Sequence, residues 1–469
     1  MAIFFTEGEV KNRPGVYQRH TNVGHTKSTA NDGICAIPIQ AAWGPLGKVL
    51  KNSTSVDLKT NYGSGTYGAG FTVPAAAAMF AGGASTVYTY RLGTGGKQAS
   101  LTADGLTITA KYPGTMPISV AIQQKLGDAS KKQFLVYVGT TLTETWEFAA
   151  DTKAEGANLA EATADSKYVI VTGEAAVVAV MPVASGALTG GENPTVTNED
   201  YSKAFAALEL SYYNCIALDV DDDEEMTLSL LMQEYLNNAY TFGKLGMAVV
   251  GEKVTVPFEQ RMEHAIMFND AKVIYLGGGY MASNVNKDGA LSICYTAGAI
   301  AATPSNQGIT HAVIEEATDL CENLTFAQYT AAINSGALML SKSSDGVIWF
   351  DSGITTLTIP EPGTQDNGWK KIRRTKTRFE LIDRLDRALN PKVGRVSADS
   401  DGIADIIQTG QRVLDAMVNE GKLMPGASFA EDTANPHDGD SAHFIIQSDD
   451  IDSLEKIYLQ YQFRYSQNS

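Results

Sequence analysis

The chain has 469 residues, 44% of them apolar, enough for several ordinary cores and about three domains on the usual length prior. Its net charge of -17 and pI near 4.8 exclude a general affinity for nucleic acid or anionic membrane, except through a local basic patch. The longest apolar run, residues 175–181, falls far short of the ~20 residues a spanning helix needs, and residues 1–5 are followed at once by charge and proline. A chain without a signal peptide, retained in the cell that makes it, is the expectation. Cys35, Cys215, Cys294 and Cys321 are scattered without metal-ligand spacing and read as buried thiols.

In chain order, residues 1–32 are polar and broken by Pro14, Gly15, Asn22 and Gly24, so that only 16–20, with Val16 and Tyr17, can extend. Residues 34–42 and 86–92 read as strands and 73–80 as a short Ala-rich helix, which makes 33–98 the first part of an α/β core. From 99 to 187 the texture changes to short β-rich runs at 106–110, 118–122, 134–138, 143–148, 168–172 and 176–181, the pattern of a small sandwich or barrel inserted into that core. The core resumes at 188–360. Thr197 with Asp200 is a capping-box signal, and Tyr201, Ala204, Phe205 and Leu208 lie on one helical face. Strand 214–218, a helix through Leu228, Met232, Tyr235 and Ala239, strand 247–250, a helix through Phe258, Met262 and Ala265, and strand 272–276 then alternate, as parallel crossovers require. A helix capped by Thr325 and Gln328 leads to a predicted hairpin of 337–340 and 347–350, with 354–359 as a third strand.

Residues 361–440 form a C-terminal domain. Its first helix bears Ile372, Phe379, Ile382, Leu385 and Leu389 on one side, and Lys370, Lys371, Arg373, Arg374, Lys376 and Arg378 crowd its start. A second helix runs over 403–418, and 421–440 reads as a linker. In the last stretch, 441–469, Ile457, Leu459, Tyr461, Phe463 and Tyr465 alternate strictly with polar or amphipathic residues, which predicts a two-faced strand with 442–447 as its partner.

Several motifs then resemble the contractile tail sheath family of myophages and related injection particles. They are Arg13-Pro14-Gly15-Val16-Tyr17, Trp43-Gly44-Pro45, Tyr112-Pro113-Gly114, and Leu188-Thr189-Gly190-Gly191 followed by Val196-Thr197 and Asp200-Tyr201. Met116-Pro117 stands where the family often has Gly-Asn. The resemblance implies a multidomain α/β protein with a subtilisin-like core lacking a triad, an inserted all-β domain facing outward, an α+β C-terminal domain, and extended terminal arms. It implies a structural subunit that stacks in rings around a tail tube and contracts to drive the tube through a target envelope. Its implied partners are other copies of itself, the tube protein, and baseplate and tail terminator proteins, in a virion tail or tail-like particle assembled in the bacterial host cytoplasm. Val16, Tyr17, Ile457, Leu459, Tyr461, Phe463 and Tyr465 then belong to intersubunit arms, and the basic residues 370–378 become candidates to face the tube.

No constellation for catalysis, cofactor or metal emerges beside this. Gly277-Gly278-Gly279-Tyr280-Met281-Ala282 fits a dinucleotide loop in spelling, but no helix is predicted to open there and no acid answers it. Asp219, Asp221 and Asp223 have calcium-loop spacing without the required Gly and Glu, and read as a solvated helix start. A triad could be assembled from Asp219 or Asp221, His264, and Ser283 or Ser292, but nothing local supports it. The basic stretch with Trp369 could bind single-stranded nucleic acid, against the overall charge. The rivals to a sheath subunit are another virion structural protein and a hydrolase on the same core.

Overall fold

A computed structural model describes residues 3–4, 17–18, 32–68, 70–103, 105–150, 154–173, 180, 182, 185–221 and 226–463. The chain divides into a small unit, Met1–Asn31, and the body, Asp32–Ser469. In the first, β1 (Ile3–Phe4) pairs in parallel with β2 (Tyr17–Gln18). Val16 lies outside the described residues.

The body opens with β3 (Ile34–Ile39), β4 (Val49–Asn52), α1 (Ser55–Tyr62), α2 (Val73–Ala81) and β5 (Thr86–Arg91). An insertion follows, made of β6 (Ser100–Ala103), β7 (Leu106–Ala110), β8 (Ile118–Gln124), β9 (Lys131–Val138), β10 (Thr141–Ala149), α3 (Glu155–Ala162), β11 (Val169–Gly173) and β12 (Gly186–Ala187). The core then resumes with α4 (Asn198–Leu208), β13 (Cys215–Ala217), α5 (Thr227–Thr241), β14 (Met247–Gly251), α6 (Phe258–Phe268) and β15 (Val273–Leu276). After β16 (Tyr280–Ala282) and β17 (Val285–Lys287) come α7 (Ala290–Ala302), β18 (Asp319–Leu320), α8 (Phe326–Asn334), β19 (Ala337–Leu338), β20 (Leu340–Lys342) and β21 (Ile348–Phe350). The C-terminal part holds α9 (Ile372–Leu389), α10 (Ser400–Asn419), β22 (Ser428–Glu431) and β23 (Phe444–Gln447).

The centre is a seven-stranded sheet in the order β19-β15-β14-β13-β3-β5-β4, parallel except for β4. Its middle strands are apolar at every position because both faces are covered. Cys35, Ile37, Met247, Val249, Ile274 and Leu276 point toward α1, α2 and α7, while Ala36, Ile216, Ala248, Val273 and Tyr275 point toward α4, α5, α6 and α8. The result is a doubly wound, three-layer α/β/α core. α7 has no polar stripe, since it is buried from Ala290 to Ala301 on nearly every side. That is why periodicity did not reveal it.

The insertion packs a four-stranded sheet (β10-β9-β8-β12) and a three-stranded one (β11-β7-β6) around their own core of Ile108, Ile118, Val120, Phe134, Val136, Phe148 and Val169. It is not all-β as expected: α3 contributes Leu159 to the same core. The expected strand 176–181 lies largely outside the described residues. The insertion joins the core through a paired stem, with Thr94 opposite Thr195, Lys97 opposite Glu192 and Ser100 opposite Thr189.

Motifs that are far apart in sequence meet at that stem. Arg91, fully buried at the end of β5, donates from Nε and Nη2 to Ala41 O (3.0 and 2.7 Å), from Nη1 to Gly44 O (2.6 Å) and from Nη2 to Pro113 O (2.8 Å). Burial lowers its pKa to about 10. Trp43 stands edge-on to Tyr112, with ring centroids 5.0 Å apart. Gly114 has φ +144°, and a Cβ there would lie 2.0 Å from Ala42 O; a Cβ on Gly191 would lie 2.2 Å from Gly114 O. Gly114 and Gly191 are thus required where loop 41–44, loop 112–114 and the segment 188–191 touch.

Candidate intersubunit site

α9 sits on the α7 side of the core with Ile372 and Phe379 buried. From the same helix Lys376 reaches under the C-terminal end of α7 and donates to Ile300 O (2.5 Å) and to Thr303 O. Cations belong at that end of a helix dipole, although desolvation of the ammonium lowers the pKa of this lysine. Lys370 donates to Thr358 O at 2.6 Å. The structure therefore corrects the expectation of an open basic face.

The remaining basic side chains hold the chain's own residues 449–455. Arg374 donates from Nε and Nη2 to the two carboxylate oxygens of Asp450, each at 2.7 Å, and Arg378 reaches the same carboxylate at 3.2 Å. Arg378 also forks onto Asp366 (2.8 and 3.0 Å) and lies 4.6 Å over the ring of Trp369. Arg373 Nη1 donates to Ser453 Oγ at 3.0 Å, and Glu455 takes Lys371 on one oxygen and Thr310 Oγ1 (2.9 Å) on the other. Main-chain bonds from Met424 N to Asp449 O (2.8 Å) and from Ile451 N to Lys422 O (3.0 Å) set the direction. Burial pushes the Asp450 carboxyl upward, but Arg374 and Arg378 outweigh it and hold it below the usual carboxylate range.

Beyond this anchor the chain leaves the surface. Ile457, Leu459, Tyr461 and Phe463 are 71%, 70%, 71% and 93% exposed, so the alternating row contacts almost nothing in its own molecule. The expected strand does not form over 457–463, and Tyr465 lies outside the described residues. Its expected partner, 442–447, pairs elsewhere: β23 runs antiparallel to β22, within what the sequence suggested was a linker. β22 is fixed by Phe429, which packs onto Gly410 and Leu414 of α10, and by Gln411, whose Oε1 accepts from Phe429 N at 3.0 Å.

Among the described residues the outer edge of β23 has no strand beside it, and Ile445 and Ile446 are exposed. The hairpin predicted over 337–340 and 347–350 is less open to such an addition. Ala337–Leu338 already closes the core sheet against β15, β20 pairs with β21, and Trp349 of β21 is bridged on its outer side by Val313. Residues 354–359 form no strand; Ile354 makes one bridge to Lys371. The longest exposed edge, β10, is guarded by Glu144, Glu147 and a register shift between Leu142 and Glu144.

The candidate catalytic groups are not brought together. Asp219 is buried and accepts from Thr72 Oγ1 and from Tyr201 OH (2.7 Å); it is not a solvated helix start. Asp221 accepts from Ala290 N (2.9 Å), capping α7, and Asp223 lies outside the described residues. His264 Nδ1 meets Glu252 (2.7 Å), itself bonded by Tyr275 OH (2.5 Å), while Ser292 Oγ donates to Gly289 O (3.0 Å). Gly277–Gly279 run into β16, not into a helix. Among the described residues no group of three or more His, Cys, Asp or Glu could hold a metal, and no helix is long and apolar enough to cross a membrane.

Comparison with known proteins agrees with this architecture. Residues 195–356 match the phage tail sheath protein central domain. The phage-like element PBSX protein XkdK of Bacillus subtilis is 25% identical over 474 residues, covering 97% of this chain and 98% of its own. The fold is similar to that of a sheath tail protein from Desulfitobacterium hafniense, with TM-score 0.72 and 20% identity over 93% of this chain and 100% of that one. It also resembles the contracted helical sheath of the anti-feeding prophage, with TM-score 0.54 and 12% identity over 97% and 99% of the two chains. Residues 195–356 are thus similar to the phage tail sheath central domain, and most of the chain's length has the fold of a sheath tail protein.

Proposed function

We propose that the chain is the subunit of a contractile tail sheath, whose copies stack as rings around a tail tube and shorten together to drive the tube through a target cell envelope. Its role is mechanical, with no catalytic step, cofactor or nucleic-acid ligand. The core is read as subtilisin-like in its doubly wound parallel sheet, without a triad. Partners are further copies, the tube protein, and the baseplate and terminator proteins at the two ends. Assembly is placed in the bacterial host cytoplasm and the product in a virion tail or tail-like particle, without insertion into a membrane.

The observation that carries this reading is the apolar row of Ile457, Leu459, Tyr461 and Phe463, exposed on a terminal segment whose root is held by α9. An extended two-faced segment with no sheet of its own invites pairing with another chain. Strand addition to a neighbour's β23 edge supplies backbone bonds and covers Ile445 and Ile446, so we assign the arm to that hairpin and not to β20–β21. The basic side chains of α9 are likewise assigned to the arm's root in place of the tube. Contraction needs interfaces with two packings and connections that persist between them. Arms joined by local ladder bonds meet that need while the bodies rotate.

The test is truncation after Lys456, which removes the row and leaves the anchored residues 449–455 in place. The shortened chain should keep its thermal transition and its monomeric solubility, and electron microscopy should show no tubular polymers. Normal tubes from the shortened chain would overturn the arm assignment.

A further inference from the structure

Residues 449–455 are held in an unusual way. They contribute almost no apolar burial, since Leu454 is 82% exposed and Ile451 only half-buried. Beside the two main-chain bonds to residues 422 and 424, what fixes them is polar and ionic: the Asp450 carboxylate between Arg374 and Arg378, Glu455 on Lys371, and Ser453 beneath Arg373. The hairpin immediately before them is held differently, by Phe429 and Phe444, whose rings lie tilted to each other with centroids 5.3 Å apart over the apolar cluster of α10. The ladder of β23 to β22 ends at Gln447, and beyond it only the single bridge of Asp450 to Leu423 continues the backbone pairing.

We infer that residues 449–455 are an ionic latch on α9: closed, it fixes where the arm leaves the body, and open, it frees the arm's root without unfolding the hairpin or the core. This rests on the reading of 457–463 as an intersubunit arm and adds to it a control over the arm's reach. A segment anchored by apolar burial would leave only with its domain. A segment anchored by ion pairs opens locally, and salt or a competing acidic surface shifts the balance. When the latch opens, seven residues of slack join the arm, so neighbouring bodies can separate further while the strand beyond stays paired.

The latch is tested by amide hydrogen exchange on the full-length, unassembled protein, comparing wild type with Asp450→Asn and low with high salt at one pH. The amides of 451–455 should exchange about tenfold faster or more in the variant, and faster in wild type at high salt, while β22, β23 and α9 keep their protection. Asp450→Glu, which retains the charge, should recover part of the slow exchange. Unchanged exchange in both Asp450→Asn and high salt would overturn the latch, as would simultaneous loss of protection in β22–β23, because the segment would then belong to the hairpin's cooperative unit. Neither result bears on the arm itself, which stands or falls on whether chains cut after Lys456 polymerise.

Discussion

Arg91 and Asp219 are buried and Lys376 is half-buried, and all three ionisable side chains are met mainly by backbone carbonyls or hydroxyls. Asp219 gives a measurable consequence. Burial raises its pKa to about 6 in spite of the hydrogen bonds from Thr72 and Tyr201, against 3.8 for the ordinary side chain. Because the folded value is the higher, the folded state holds the proton through a window in which the unfolded chain has lost it. Stability from this group is complete below about pH 4 and is lost as pH rises through about 6. Asp219→Asn has no such window, and either neighbouring hydroxyl can turn to accept from the new amide. The stability difference between variant and wild type should therefore move in the variant's favour by roughly 2–3 kcal/mol between pH 4 and pH 7. Denaturant titrations at the two pH values check it, and a constant difference would show that the carboxylate is ionised throughout. The sequence spacing of Asp219 and Asp221 could not reveal these roles, since it says nothing about which way the loop after β13 turns. Arg91 was overlooked altogether, because a single arginine at a strand end has no pattern until the loops it ties are placed around it.

At the level of elements, the parallel strands and their crossover helices were legible because strand runs and helical stripes alternate with clear stops. The segments that escaped did so for physical reasons: α7 is apolar all round, α1 is largely polar, and β22 is only four residues long. The terminal strand of 457–463 was visible as a pattern although the isolated chain does not form it; on the proposed reading, the alternation marks a surface for a partner to cover. The insertion was legible from its change of texture and has its own core, so removing 100–187 behind a short Gly/Ser bridge should leave the body folded. The stem pairs Thr94–Thr195 and Lys97–Glu192 remain to close it. Trp43, buried against the insertion, would be uncovered, and Arg91 would lose Pro113 O. A lower but still cooperative thermal transition is expected, with Trp43→Ser added to restore solubility. An insoluble double variant without a transition would make the insertion an integral part of the core.

For the molecule as a whole, the proposed arm donor at 457–463 and the proposed acceptor at β23 are separate parts of one chain. A chain cut after Lys456 should still accept an arm while donating none. Mixed into wild-type protein at a small fraction, it should shorten the tubes measured by electron microscopy far beyond its share of the subunits, whereas tubes of unchanged length would mean that the cut chain is simply not incorporated. The stem at 94–100 and 189–195 has a different consequence. The backbone enters and leaves the insertion through two neighbouring antiparallel stretches about 5 Å apart, and the body also meets its lodger at Trp43, through the Arg91–Pro113 bond and where Gly114 lies on Ala42. Any foreign module with adjacent termini can be mounted on the same socket, which makes this position a port for displaying fluorescent, enzymatic or adhesive cargo along an assembled particle.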